Sequence, residues 1–74
     1  MTASLLRPGI YRHYKGPEYR VLLVARHSET EEPMVVYQTC YGAHDWWVRP
    51  LSMFCELVDV DGRQVPRFAF VREE

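Results

Sequence analysis

The sequence predicts a small all-β domain, built as a partly open barrel of five or six antiparallel strands with one short helical turn. Its apolar residues recur with period two far more often than with the 3.6-residue period of a helix. The runs between turn signals are rich in Val, Tyr, Phe, Trp and Thr, which suit a pleated, half-buried surface. A chain of 74 residues is too short for a two-sheet sandwich, so curling one sheet is expected to hide most of its edges.

Turn signals divide the chain into six predicted strands. Gly16 and Pro17 follow the first strand, because glycine accepts positive φ and proline cannot donate to a β-ladder. The pair Asp61-Gly62 is a two-residue hairpin signal before the last strand, which is expected at an edge of the sheet. The predicted strands are residues 10–14, 19–27, 34–40, 46–49, 54–60 and 66–71.

The second predicted strand is apolar on both faces in its middle. Strict alternation places Tyr19, Val21 and Leu23 on one face. Leu22 and Val24 then share the other face. A strand with two apolar faces is expected to be central in the sheet and strongly bent.

The stretch PLSMF, residues 50–54, is expected to form a single helical turn after Pro50 ends the fourth strand. A helical turn in front of a late strand is common in SH3-like barrels, so the barrel is expected to be SH3-like. This analogy concerns the fold alone and brings no function with it.

Length and composition indicate one globular domain over residues 1–74, with residues 1–8 as a loosely ordered lead-in. Hydrophobic residues make up 47% of the chain, whereas a disordered chain lacks the apolar surface to offset its entropy. No run approaches the roughly 18 apolar residues that span a bilayer, and the N-terminus lacks the apolar region of a signal peptide. Cys40 and Cys55 are too few for a disulfide framework and are expected as reduced core thiols. We expect a cytoplasmic location and no membrane association.

The charge is distributed unevenly, although the net charge is −1. The first 27 residues carry five basic residues and one acidic residue, and the rest of the chain carries four basic and nine acidic. Unless acidic residues fold beside it, a local basic patch is expected. Its members are Arg12, Lys15, Arg20 and Arg26. A general nucleic-acid binder is usually more basic overall.

The stretch ARHSETEEP, residues 25–33, combines a histidine, a hydroxyl and three carboxylates. His27 and Ser28 are neighbours and point to opposite faces of an extended chain, which argues against a nucleophile and its base. The spacing of Ser28 and Glu31 instead matches a capping box. We expect a turn here, and no catalytic residue.

Two sets of residues offer ligands for a metal ion, but in each set the pattern favours a structural role over metal binding. Glu29, Glu31 and Glu32 offer oxygen ligands for calcium, but three adjacent carboxylates rarely converge on one ion. Cys40 and His44 lack the second close pair of ligands that is typical of structural zinc. We expect no metal and no cofactor.

Aromatic residues are the strongest functional signal. Five tyrosines and two tryptophans cannot all be interior in a domain this small, and exposed aromatic clusters mark contact surfaces. Trp46 and Trp47 must face opposite sides of their strand, so one is expected in the core and the other at the surface. Arg49 shares the face of Trp47, which predicts a cation beside an indole. The alternative is that the rings only fill the barrel. The predicted ligand-binding residues are Arg12, His13, Tyr14, Arg26, His27, Trp47 and Arg49.

Four separated motifs resemble a known family. They are YRHYKG, VARHSETEEPMVVYQTCYG, WVRPLSMF and the closing PRF, in this order. Together they resemble the small bacterial family catalogued as domain of unknown function 1653, over roughly residues 9–70. The resemblance implies a compact stand-alone β-barrel domain in a bacterial cytoplasm. It implies no substrate, cofactor or catalytic residue.

The sequence favours a non-catalytic binding or adaptor module that recognises a protein, a peptide or another ligand through an aromatic and basic surface. Single-stranded nucleic-acid binding is one alternative, because aromatic and basic residues interleave in YRHYKG. A small hydrolase or metal-dependent enzyme is the other, with His27, Glu29, Cys40 and His44 as its residues. A monomer and a dimer both fit the sequence, since residues 66–71 offer an edge for pairing across a twofold axis.

Overall fold

The computed structural model describes residues 6–73, which form seven strands and one helical turn. The elements are β1 (Gly9–His13), β2 (Glu18–Arg26), β3 (Pro33–Thr39), β4 (Trp46–Pro50), α1 (Leu51–Phe54), β5 (Leu57–Val60), β6 (Arg63–Pro66) and β7 (Phe68–Arg72). Five strands form an antiparallel sheet in the order β4-β3-β2-β1-β7, and β5 pairs with β6 in a second sheet. The all-β class and the helical turn are therefore confirmed. The larger sheet is open, with β4 and β7 at its edges.

The last predicted strand, residues 66–71, is divided in the structure. The Arg67 N–H donates to the Glu56 carbonyl at 2.8 Å, and the Arg67 carbonyl accepts from the Tyr14 N–H at 3.0 Å. Residues before Arg67 pair with β5, and residues after it pair with β1. The chain changes sheets at this residue, which gives seven strands rather than five or six. The predicted hairpin at Asp61 and Gly62 is confirmed, with φ values of 52° and 81°.

β2 is the central strand, as predicted, and it contains a β-bulge. The pairing of β2 with β3 shifts between Val21 and Leu23, so Leu22 is an extra residue and the alternation of faces reverses. Leu23, predicted on the face of Val21, is 51% exposed. Val24 lies opposite the buried Val35 instead. The predicted face assignment is wrong beyond Val21, because a bulge adds one residue and bends the strand.

The core lies between α1 and one face of the five-stranded sheet, which we call the inner face. Phe54 of α1 stacks on Phe68 of β7 with ring centres 4.1 Å apart. The other buried members of this cluster are Tyr11, Val21, Val35 and Tyr37. Cys40 and Cys55 are free thiols, as expected, but both are exposed. The prediction of core cysteines is wrong, because one lies in the β3–β4 connection and the other directly after α1, where the chain turns at the surface.

Residues 1–5 of the predicted lead-in lie outside the described residues. Leu6 packs against the core cluster. Arg7 lies over the Phe70 ring, and its carbonyl accepts a hydrogen bond from the Tyr11 hydroxyl at 2.8 Å. Within residues 6–73, no helix has the length and apolar content to cross a bilayer.

Candidate binding surface

The seven predicted ligand-binding residues are divided among three places. Arg26 and His27 lie at the β2–β3 turn, about 25 Å along β2 from the Glu18 end at the usual strand rise. Arg12 lies opposite Glu18 and forms an ion pair with it. The residues of the expected basic patch are therefore spread along the sheet, and Glu18 neutralises the charge of Arg12.

The β2–β3 turn is held by the predicted histidine. The Nδ1 atom of His27 accepts hydrogen bonds from the backbone N–H groups of Glu29 and Thr30, at 3.1 and 3.3 Å. The turn is confirmed, but its acceptor is this imidazole rather than the Ser28 hydroxyl of a capping box. Because Nδ1 accepts two backbone hydrogen bonds, it is not available as a base for the neighbouring hydroxyl. The side chain serves the geometry of the turn.

A groove of about 550 Å³ holds the second group of residues. It is bordered on one side by Arg12, His13 and Tyr14. The remaining lining is apolar and comes from Val60, Val65, Pro66, Ala69, Phe70 and Val71. The Glu18 carboxylate that pairs with Arg12 also lies 3.7 Å from Arg72, so one carboxylate is shared by two guanidinium groups beside this groove.

The third place is an arginine over aromatic rings on the inner face. The guanidinium carbon of Arg49 lies 5.5 Å from the centre of the Phe68 ring. The Phe68 ring in turn contacts the rings of His13 and Tyr19 edge to face, with ring centres 4.9 and 5.6 Å apart. Arg49 is half-buried, and its Nε–H is buried without an acceptor among residues 6–73. The cation predicted beside the indole of Trp47 thus lies over a phenylalanine.

The electrostatic surroundings of Arg49 are positive. Within residues 6–73, no carboxylate lies within ion-pair distance of Arg49, whereas Arg67 pairs with Glu56 at 3.0 Å. The pKa of His13 lies below its ordinary value, first because of burial and then because of the charges of Arg67, Arg49 and Lys15. The neutral His13 ring accepts the Lys15 N–H at Nδ1. An anion at this place would meet an unneutralised guanidinium.

Both tryptophans are exposed, Trp46 at 53% and Trp47 at 52%. The expectation that one of them lies in the core is therefore wrong. Trp47 does share the inner face with its neighbour across the ladder, the buried Tyr37. However, β4 is an edge strand, so no further strand of residues 6–73 covers the indole. Tyr14 and Tyr41 are exposed as well, which confirms that the aromatic residues are not all interior.

Tyr19 connects this face to the β3–β4 connection. Its hydroxyl lies 3.1 Å from the Tyr41 hydroxyl. Burial, followed by this hydrogen bond, raises the pKa of Tyr19 to about 12. The folded domain therefore holds the neutral phenol.

We expect the free energy of unfolding to fall as the pH rises above 10. In the unfolded chain Tyr19 ionises near its ordinary pKa of 10.0, but in the folded chain it keeps its proton up to a pKa of about 12. The stabilisation is complete below the unfolded value and is lost through this window, because only the unfolded state releases the proton there. Urea unfolding across the window should show a shallower loss of unfolding free energy in Tyr19→Phe than in wild type. Equal alkaline slopes in wild type and Tyr19→Phe would contradict this assignment.

The comparisons with known proteins decide the family. Residues 9–70 match the family model described as Protein of unknown function (DUF1653). The chain belongs to this family. A crystal structure of a DUF1653 protein from Bordetella bronchiseptica is similar, with a TM-score of 0.88 and 40% sequence identity, over 99% of this chain and 96% of that chain. The resemblance based on the four motifs is confirmed. A comparison with curated proteins finds no match.

Three residues outside the predicted binding set also lie near Arg49 or His13 in this DUF1653 domain, namely Tyr19, Arg67 and Phe68. Arg67 and Phe68 belong to the PRF motif, but their role depends on the bend between β6 and β7. Tyr19 is not among the seven predicted binding residues. Its inward face follows from alternation with Val21, so this signal was present. Within residues 6–73 of the DUF1653 domain, no three His, Cys, Asp or Glu side chains are grouped to hold a metal ion.

Proposed function

We propose that this DUF1653 domain is a non-catalytic binding module that holds an acidic segment of a partner protein on its inner face. The observation that carries the proposal is Arg49. Its guanidinium lies over Phe68, its Nε–H has no acceptor, and no carboxylate of residues 6–73 neutralises it. A carboxylate matches the forked donors of a guanidinium and forms charge-assisted hydrogen bonds with it.

The neighbours of Arg49 suit such a ligand. Trp47 is exposed on the same face two residues earlier and offers stacking area at low entropic cost. Arg49 itself carries a positive charge that no carboxylate of residues 6–73 neutralises, so an acidic segment is attracted to this face before contact. We also propose a bacterial cytoplasmic location, in keeping with two free exposed thiols.

Nucleic-acid binding has less support. The chain has a net charge of −1, and a polyanion needs several unneutralised cations along its path. Glu18 lies beside both Arg12 and Arg72, and Glu56 pairs with Arg67. The enzyme alternative has less support still, because His27 is used by the β2–β3 turn.

Calorimetric titration with a synthetic peptide tests the proposal. The probe is a capped peptide of alternating glutamate and tyrosine, with a lysine and tyrosine peptide as its control. Arg49→Ala is expected to bind the acidic peptide at least about tenfold more weakly than wild type, because a hydrogen bond to a charged group contributes about 1.5–3 kcal/mol. Arg63→Ala, at an exposed arginine of β6, is expected to bind like wild type.

A nuclear magnetic resonance titration of His13 gives an independent readout. A bound carboxylate favours the charged imidazole, so saturation with the acidic peptide is expected to raise the pKa of His13. Equal peptide affinities of wild type and Arg49→Ala would contradict the proposal. So would wild-type protein that binds only a mixed single-stranded DNA oligonucleotide with a steep salt dependence, which would assign the face to nucleic acid.

A further inference from the structure

β4 carries three consecutive exposed apolar residues at an open edge of the sheet. Trp46, Trp47 and Val48 are 53%, 52% and 60% exposed. Successive side chains point to opposite faces, so both faces of the sheet are apolar along this edge. An exposed apolar edge strand is a template for pairing with another strand.

The backbone of β4 alternates between the sheet and the open edge. The Thr39 N–H donates to the Asp45 carbonyl at 3.2 Å. In an antiparallel ladder every second residue is hydrogen-bonded to the same neighbour, so Trp47 and Arg49 are also bonded to β3. The residues between them direct their backbone groups away from β3, to the open edge.

We propose that a second copy of this chain pairs with β4, antiparallel, about a twofold axis at Val48. In this register each Val48 N–H donates to the other Val48 carbonyl. Each Trp46 N–H donates to a carbonyl of the partner's Pro50, and the Trp46 carbonyl stays with solvent because proline has no N–H to donate. On the outer face Val48 meets its counterpart, and Trp46 packs on the partner's Pro50. Two five-stranded sheets become one continuous sheet.

The same register is complementary in charge. On the inner face Arg49 lies opposite the partner's Trp47, within reach for a cation over an indole. Asp45 lies two residues before Trp47 on that face and is a diagonal neighbour of the partner's Arg49. Within residues 6–73 of one copy, neither Asp45 nor Arg49 has an ion-pair partner. A second copy supplies a partner for each of them.

The dimer goes beyond the proposed peptide site, because its backbone bonds come from Val48 and Trp46, which are not part of that site. Arg49, together with Trp47, takes part in both surfaces. An acidic ligand and the partner's Asp45 compete for its guanidinium, so ligand binding is expected to weaken dimerisation. The test therefore changes Val48, which leaves Arg49 in place.

Sedimentation velocity of the full chain over a concentration series measures the association. Wild type is expected to shift from monomer to dimer as the concentration rises. Val48→Lys is expected to weaken the dimer about tenfold or more, because two ammonium groups then face each other across the axis. Val71→Lys is the matched control, since it places the same charge at an exposed valine of the opposite edge strand, and it is expected to associate like wild type.

A charge exchange provides a second variant that does not depend on Val48. Asp45→Arg is expected to weaken the dimer, and the double variant with Arg49→Asp is expected to restore it, whereas circular dichroism shows wild-type folding in each. A wild-type chain that stays monomeric at every concentration overturns the proposal. A dimer that is dissolved by Val71→Lys and kept by Val48→Lys also overturns it and assigns the interface to β7.

Discussion

Phe68→Ala is expected to lower the free energy of unfolding by about 3–5 kcal/mol, the usual cost of truncating a core phenylalanine. Phe68 is 6% exposed and stacks on Phe54 at 4.1 Å. The centre of its ring also lies 5.6 Å from that of Tyr19 and 6.1 Å from that of Tyr37. A domain of this length has a total stability of about 4–11 kcal/mol. Urea unfolding followed by circular dichroism should therefore show that the variant keeps only a small free energy of unfolding.

Phe70→Ala is the comparison for this loss. Phe70 lies two residues later on the same strand, but it is half-buried and its ring lies beneath the exposed Arg7. Its truncation is expected to cost clearly less, because less apolar surface returns to water. Equal costs for the two variants would contradict the placement of Phe68 at the centre of the core. Phe68→Leu keeps an apolar side chain and removes the ring beneath Arg49. The loss in the free energy of acidic-peptide binding should therefore exceed the loss in the free energy of unfolding.

The strands and hairpins could be predicted because their signals are local. Asp61-Gly62 needs positive φ at both residues of a two-residue hairpin, and the structure shows it there. The bulge at Leu22 could not be predicted, because a strand that is apolar on both faces fits either alternation. The division at Arg67 depends on pairing with β1, more than fifty residues earlier in the chain. Such long-range pairing leaves no local pattern.

The candidate site shows the same limit. Alternation correctly placed Trp47 and Arg49 on one face of their strand. It could not show that the curled sheet brings Arg49 to Phe68, since this contact joins β4 to β7 across the inner face. The ion pair of Arg12 with Glu18 could have been predicted from the sequence, because the two residues flank the first hairpin and lie opposite each other. Tertiary contacts, rather than residue types, separate binding residues from structural ones here.

Gly9→Ala is expected to cost about 2–4 kcal/mol, from a strained backbone and an overpacked contact. Gly9 has φ of +147°, which L side chains rarely adopt. A Cβ atom there would lie 2.7 Å from the Arg72 carbonyl oxygen and 2.8 Å from an atom of the Phe70 ring. The Arg72 oxygen belongs to the backbone of β7, so relief requires the strand itself to move. Urea unfolding measures the loss.

Gly16→Ala separates the two causes of this loss. Gly16 also has positive φ, at +121°, but apart from its chain neighbours no atom of residues 6–73 lies within 4 Å of its Cβ position. Its substitution is therefore expected to cost only the strain, about 1–3 kcal/mol. The additional loss of unfolding free energy in Gly9→Ala, relative to Gly16→Ala, measures the close approach between β1 and β7. Within residues 6–73, β1 is the strand that pairs with β7, so hydrogen exchange in Gly9→Ala is expected to be faster along β7 than in Gly16→Ala. A more mobile β7 also makes Phe68 more mobile, so the affinity for the acidic peptide should fall in Gly9→Ala. Equal protection of the β7 amides from hydrogen exchange in the two variants would contradict the link between Gly9 and β7.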